Sequence, residues 1–254
     1  MSYELTKILQ KCEKSDIEFI INTIDSYVNF SDDKFLKSHF KAWENGQISL
    51  EFAHLLEENI RYNGSSDVAY FARKIVGSDP GVSVKEMIND IAEKLKIKLK
   101  QLSTIEGMLE QLVIAVFEKN FRELSKEEQF RLIEEASDLG KTKIEELLKK
   151  IKGNTAIIGL ILTAMGPAAT QQLISAIVTA LLTKIVGKEL VILLTNRLSL
   201  AIGGSWLAPA VAIISAGWIA WDLAGTPAFR KTVPIMLCLG LVGLRDGTEE
   251  GVDY

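Results

Sequence analysis

TAIIGLILTAMGPAATQQLISAIVTALLT, residues 155–183, is a run of 29 residues without one ionisable side chain. A second run of this kind, Leu198–Trp221, has 24 residues, and a third, Val233–Leu244, has 12. A helix needs about 20 apolar residues to cross the hydrocarbon core of a bilayer, so the first two runs are long enough. The third is short for a span and suits a re-entrant or interfacial segment, or one completed by burial in an oligomer.

The ionisable residues are concentrated before these runs. Residues 1–153 carry 23 Lys and Arg and 27 Asp and Glu, whereas residues 154–254 carry six of each class. The sequence therefore predicts an all-α chain in which a soluble multi-helix domain is followed by a transmembrane helical region. The soluble, ligand-sensing domain covers residues 1–153, the membrane-embedded pore region covers 154–245, and an acidic tail covers 246–254.

Helix starts in the first part are marked by Ser-x-x-Glu capping boxes, at Ser15/Glu18, Ser83/Glu86, Ser103/Glu106 and Ser125/Glu128. Each box precedes apolar residues at helical spacing. Five further helices are predicted over 2–12, 33–44, 48–61, 66–76 and 141–152, which makes nine in this part. KLKIKLK (Lys94–Lys100) alternates as a strand does, but we interpret it as the frayed end of the helix that starts at Ser83.

The apolar part carries its own signals of a membrane. Gly166-Pro167 and Gln171-Gln172 interrupt the first run and are expected to kink the helix or divide it into a hairpin. Lysines between 141 and 152 precede the run, as on a cytoplasmic flank, which predicts an inner-membrane protein with its soluble domain in the cytoplasm. The alternatives are buried helices of a soluble protein and a switch from a soluble to an inserted form.

Several function classes are disfavoured by composition. A net charge of −4 argues against wrapping of duplex nucleic acid. His39, His54 and the two cysteines form no metal-binding motif, and the chain has none of the common catalytic motifs, so we expect no metal, no cofactor and no catalysis. Adjacent acids such as Glu57-Glu58 are expected to be solvated faces of amphipathic helices.

A first candidate ligand site is the turn at residues 63–66. A Gly-Ser turn at a helix start offers free amides and the positive end of the helix dipole to a phosphate, and the residues before it add a charge and a stacking surface. The predicted ligand-binding residues here are Arg61, Tyr62, Gly64, Ser65, Ser66, Arg73 and Lys74. The alternative is simple capping, which Asp67 favours by supplying negative charge at that helix start.

A second candidate is the basic strip formed by Lys94, Lys96, Lys98 and Lys100, which would meet a phosphate backbone or lipid headgroups. The alternative for this strip is a solvated surface.

Polar residues within and between the apolar runs are candidates to line a pore. They are Thr170, Gln171, Gln172, Asp222, Arg230 and Lys231. The first three would face a lumen or form hydrogen bonds between helices, and the other three would line an aqueous mouth or mark the water boundary.

Four segments carry a resemblance that runs nearly end to end: DIEFIINTI (16–24), YNGSSDVAYFARKIVG (62–77), VKEMINDIAEKLKIKLK (84–100) and FRKTVPIMLCL (229–239). In these the chain resembles the YaaW-like bacterial family, which is described as related to ubiquinol-cytochrome c chaperones. Some similar proteins are HalA-type membrane effectors of the Hailong anti-phage defence system. That resemblance implies a homo-oligomeric ion channel held closed by a single-stranded oligodeoxyadenylate, which a partner nucleotidyltransferase makes.

The leading functional hypothesis is therefore a membrane effector with a gated pore, controlled by the soluble helical part. The alternative is a membrane-anchored assembly factor or chaperone without conductance. A nucleotide-processing enzyme is disfavoured because the catalytic motifs are missing.

Overall fold

The computed structural model describes residues 3–25, 33–43, 46–64, 82–100, 104–153, 157–187 and 227–245. Every element of regular secondary structure in these ranges is an α-helix, which confirms the all-α prediction. The helices are α1 (Thr6–Lys11), α2 (Lys14–Asp25), α3 (Asp33–Ala42), α4 (Leu50–Gly64), α5 (Val84–Lys94), α6 (Ile105–Glu123), α7 (Lys126–Ala136), α8 (Lys141–Ile151), α9 (Ile158–Met165), α10 (Pro167–Val186) and α11 (Pro227–Arg245). Eight of the nine helices predicted before residue 153 are among them, and the ninth, 66–76, lies outside the described residues.

Two of the predicted capping boxes start helices as expected. The Ser125 hydroxyl accepts from the Glu128 amide while the Glu128 carboxylate accepts from the Ser125 amide, and Ser83 accepts from the amide of Glu86. The other two predictions were wrong in detail. Helix α6 is capped by Thr104, which accepts from Gly107, and Ser15 lies inside α2, one residue after its start.

The alternating segment after α5 is neither a strand nor a continuation of the helix. Helix α5 ends at Lys94, and Lys96 has a positive φ of 53°, which turns the chain away from the helix axis. Residues 97–100 then run without regular structure, with the lysine side chains exposed and Ile97 and Leu99 packed on the core. The alternation of lysine and apolar residues therefore reflects an irregular segment in which every second side chain packs on the core.

Helices α6 and α11 lie at the centre of the described structure. Helix α11 makes its most extensive contacts with α6 and also packs on α1, α2, α4, α5 and α10. Ten consecutive residues of α11, from Lys231 to Gly240, are buried, so this helix is enclosed on every side. Its approach to α6 depends on Gly240, where a Cβ atom would lie 2.5 Å from the carbonyl oxygen of Leu109.

The burial of α11 changes the interpretation of the third apolar run. Residues 233–244 were expected to form a re-entrant or interfacial segment, or to be buried by oligomerisation. The structure instead buries them within one chain, against helices that precede residue 153. The apolar run of 12 residues covers only about 18 Å of α11, which suits the thickness of a helical body better than that of a bilayer.

The first apolar run forms two helices, α9 and α10. The division falls at Gly166, whose φ is 80°, followed by Pro167 at the first position of α10, as predicted. Gln171 and Gln172 do not interrupt α10, so that part of the prediction was wrong. The second run, Leu198–Trp221, lies outside the described residues.

Within the described residues, α10 is the one helix long and apolar enough to cross a membrane, with a mean hydropathy of 1.4. Its most apolar 18-residue window is 61% buried in the protein. All residues from Leu173 to Leu182 are buried, as is Thr170, whereas the other residues of the first turn and a half are partly or fully exposed. In this arrangement the centre of α10 contacts protein on every side.

Candidate functional site

Three residues of the first predicted ligand site, Arg61, Tyr62 and Gly64, are among the described residues and lie at the end of α4. Arg61 is buried, and its Nε donates to the carbonyl oxygen of Val82 at 2.8 Å. Tyr62 is half-buried, and Gly64 lies under Met87, whose Sδ would be 2.1 Å from an added Cβ. These residues occupy the last turn of a helix, where carbonyl groups rather than amides face outward. Ser65, Ser66, Arg73 and Lys74 lie outside the described residues.

A predicted pore residue meets this same helix end. Lys231 of α11 is buried, and its Nζ donates to Asn63 Oδ1 at 3.0 Å and to the carbonyl oxygen of Ile24 at 2.9 Å. The ammonium group therefore joins α11 to α2 and α4 inside the protein. Its neighbour Arg230 is exposed, and Asp222 lies outside the described residues.

The three residues of the first apolar run that were predicted to line a pore have separate roles. The Thr170 hydroxyl donates to the carbonyl oxygen of Gly166, one turn earlier, at 2.7 Å. The Gln171 amide donates to the carbonyl oxygen of Leu244 at 2.5 Å and so connects α10 to the end of α11. Gln172 is half-buried. The hydrogen bond of Gln171 fits the predicted contact between helices.

The second predicted ligand site is an exposed row of cations. The side chains of Lys96, Lys98 and Lys100 are exposed, and Lys94 is half-buried at the end of α5. Because Ile97 and Leu99 pack on the core between them, the exposed lysines lie on the solvent side of the segment.

Glu118 of α6 caps the start of the apolar helix pair. This residue was not among the predicted site residues. Its Oε1 accepts hydrogen bonds from the amides of Ile157 at 2.8 Å and Ile158 at 2.9 Å. The first turn of α9 has no side-chain cap of its own, so the carboxylate replaces it and also meets the positive end of the helix dipole. A helix start without Ser, Thr, Asp or Asn is the sequence signal that an acceptor from elsewhere is needed.

A similar use of a carboxylate anchors the amino-terminal helix. Glu57 of α4 is fully buried and accepts from the amides of Glu4 at 2.7 Å and Leu5 at 2.8 Å. Burial raises the pKa of the Glu57 carboxyl, and the two amides oppose that rise. Its neighbour Glu58 accepts from the Tyr3 hydroxyl at 2.8 Å. The expectation that this acid pair is a solvated face was therefore wrong for Glu57.

The two histidines lie against aromatic rings. The ring of His54 stacks on Tyr3 with centroids 3.6 Å apart, and His39 lies 5.8 Å from the Phe52 ring. In the ranges that the structure describes, no three residues of the types His, Cys, Asp and Glu are grouped so as to hold a metal ion.

Glu118 and Gln171 form a junction that joins α9 and α10 to α6 and α11. The centre of α10 is buried in the charged helical body, whereas much of α9 is partly exposed. Comparison of the chain with protein-family models, with curated proteins and with solved structures gives no match.

Proposed function

We propose that the protein is a membrane effector: a homo-oligomer whose apolar carboxy-terminal part forms a gated ion-conducting pore, controlled by the helical body. The observation that carries the proposal is the stretch Asn154–Trp221, which has four ionisable residues, Lys184, Lys188, Glu189 and Arg197. These four residues lie between two apolar runs, 155–183 and 198–221, which can enter hydrocarbon at little cost, whereas the preceding 153 residues are too charged for it.

The burial of α10 supports a soluble-to-inserted form of this proposal. Leu173–Leu182 contact protein on all sides, so insertion requires α10 to leave the contacts that it makes with α6, α7 and α11. Helix α11 would remain in the body, since its centre is enclosed by helices from the charged part. The junction formed by Glu118 and Gln171 then holds the closed state.

The proposed ligand that controls opening is a single-stranded oligodeoxyadenylate, which would bind the closed state and stabilise it. The resemblance to HalA-type effectors supports this choice. The exposed row Lys96, Lys98 and Lys100 supports a binding surface for its phosphates on the body. The proposed setting is anti-phage defence, in which loss of the nucleotide opens the pore and depolarises the cell.

The test uses the purified full chain and vesicles loaded with potassium ions. We expect the wild-type chain to release potassium ions from the vesicles. Added oligodeoxyadenylate should suppress that release. A chain that binds vesicles but releases no ions, with or without the nucleotide, contradicts the pore and favours the membrane-anchored assembly factor.

A substitution at Ala168 links the ion release to insertion of α10. Ala168 is exposed at the second position of the helix, so Ala168→Asp is compatible with the folded body and with the helix dipole. If the whole run 155–183 crosses the bilayer, Ala168 lies near the middle of the span, where an aspartate costs about 2.5 to 3.5 kcal/mol, so we expect a loss of ion release of at least tenfold. Ala168→Ser is the uncharged control and should retain it. Equal ion release by both variants would show that this segment does not enter hydrocarbon.

A further inference from the structure

Helices α7 and α8 enclose an open groove of about 810 Å³ on the surface of the body. Its floor is formed by Phe130 and Leu148, which are half-buried. Charged and exposed side chains line the rest: Lys126, Glu127, Arg131, Glu134, Lys141, Glu145, Lys149 and Lys152. The groove thus combines an apolar floor with a charged rim.

The charge of this groove differs in sign from that of the chain. Five cations and three acids line it, which gives a net charge of +2, whereas the whole chain has a net charge of −4. Outside this lining, α8 adds Lys143, Lys150 and Glu146, and α7 adds Glu128 and Glu135, so the excess of positive charge is confined to the groove itself. An acidic protein therefore presents a locally cationic groove between α7 and α8.

The position of the groove relates it to the apolar helices. Helix α8 packs on α9, and α7 packs on α10. Lys152 precedes Ile157, the first described residue of the apolar pair, by five residues, which span at most about 18 Å. Side chains on this surface therefore lie close to the point where the apolar helices would enter a bilayer.

We propose that the α7–α8 groove docks the closed protein on a membrane by binding the phosphate groups of anionic phospholipid headgroups. Lys and Arg at the rim bind the phosphates, and Phe130 and Leu148 contact the carbon atoms below them. This inference rests on the proposed function for its purpose, because docking here places α9 and α10 at the bilayer surface before insertion.

Charge and shape favour a lipid over a single-stranded nucleic acid. Among the described residues that line the groove, Phe130 is the one aromatic residue, and it is half-buried, whereas sequence-tolerant binding of single strands uses successive exposed rings. The three acids between the cations also oppose a continuous phosphate backbone more than they oppose separate headgroups.

The test compares two triple variants of the full chain that remove the same charge. Arg131→Gln, Lys149→Gln and Lys152→Gln neutralise the groove, while Lys7→Gln, Lys41→Gln and Lys85→Gln neutralise exposed lysines on other helices. Binding is measured by flotation with vesicles of phosphatidylcholine alone and with added phosphatidylglycerol. Each cation near an anionic surface contributes about a fivefold factor, so the groove variant should bind phosphatidylglycerol vesicles about a hundredfold more weakly. The control variant should stay within about twofold of the wild type.

Equal losses in the two variants overturn the inference, as does binding that is independent of phosphatidylglycerol. So does a groove variant that keeps its vesicle binding but loses binding of a single-stranded oligodeoxyadenylate. Ion release is measured on the same samples. Vesicle binding that depends on the groove cations, without ion release, overturns the proposed pore and supports the docking surface. Ion release that does not depend on the groove cations supports the pore and overturns the docking surface.

Discussion

Arg245, the last residue of α11, forms an ion pair with Asp16 of α2, with Nη2 and Oδ2 2.6 Å apart. The two residues are 229 positions apart in the sequence, so the contact closes the end of the central helix onto the amino-terminal helices. The Asp16 carboxylate is 7% exposed and the Arg245 side chain 33% exposed. Burial raises the pKa of the Asp16 carboxyl, and the Arg245 guanidinium opposes that rise.

Removal of the guanidinium should destabilise the fold. In Arg245→Met the Asp16 carboxylate stays buried but loses its counter-charge. We expect the free energy of unfolding to fall by about 2 kcal/mol, between the values typical of surface and of buried ion pairs. Urea unfolding of the purified chain measures it. A double variant with Asp16→Asn should be less destabilised than the sum of the two single variants, because the neutral amide needs no counter-charge. Additive losses would show that the pair contributes no coupling.

The same pair predicts a dependence on pH. Because the pKa of Asp16 is higher in the folded protein than in the unfolded chain, the folded state binds this proton more tightly. The stability that this provides is fully present below the unfolded-chain pKa and is lost as the pH rises through the folded pKa. Without Arg245 the pKa rise is larger. The destabilisation by Arg245→Met should therefore shrink as the pH is lowered from neutral, and a constant difference across that range would contradict the assignment.

The contact between α6 and α11 predicts that one glycine in α11 is intolerant of substitution. A Cβ at Gly240 would lie 2.5 Å from both the Leu109 carbonyl oxygen and Val113 Cγ2, so Gly240→Ala must separate two backbones. We expect a destabilisation of about 2 kcal/mol, despite the higher helix propensity of alanine.

The matched control is Gly243→Ala, one turn later in the same helix. Its Cβ would approach the Glu110 side chain at 3.0 Å, and a side chain can move where a backbone cannot. Urea unfolding should show a small change for Gly243→Ala. Equal losses at the two positions would mean that the helices are not in close backbone contact at Gly240.

The helices could be predicted from the sequence because their signals are local. Ser125 and Glu128 lie within one turn, and the break at Gly166-Pro167 depends on two adjacent residues. The burial of α11 depends instead on the whole body. Its apolar run has the same composition whether it contacts lipid or α6, and no local pattern distinguishes these surroundings.

The capping roles of Glu118 and Glu57 were missed for the same reason. Glu118 looks like any charged residue on an amphipathic helix, and only the tertiary fold places it at the start of α9, 39 residues later. Glu57 likewise has the local pattern of a solvated acid, and only the tertiary fold brings it to the amides of Glu4 and Leu5, more than 50 residues away. Carboxylates that cap distant helices leave no spacing signal.

The pair Glu57 and Glu58 offers a matched test of one such cap. Glu57→Gln replaces a carboxylate oxygen that accepts from a backbone amide with an NH₂ donor, so we expect a loss of about 1 to 3 kcal/mol. Glu58→Gln leaves an acceptor for the Tyr3 hydroxyl at an exposed site and should change stability little. Hydrogen exchange at the amides of Glu4 and Leu5 reports the cap directly. Unchanged protection in Glu57→Gln would exclude this role.

Glu118 offers the corresponding test at the apolar helices. Glu118→Ala leaves the amides of Ile157 and Ile158 without their acceptor, which should cost about 1 kcal/mol and speed hydrogen exchange throughout α9. If release of α9 and α10 precedes insertion, the variant should also release ions from vesicles at a lower protein concentration than the wild type. Glu118→Gln retains an acceptor oxygen, so its stability and ion release should lie between those of the wild type and Glu118→Ala. Glu123→Ala removes an exposed acid from the same helix and should match the wild type. Faster exchange in α9 without any change in ion release would separate the cap from gating, because the junction would then stabilise the fold without controlling the membrane step.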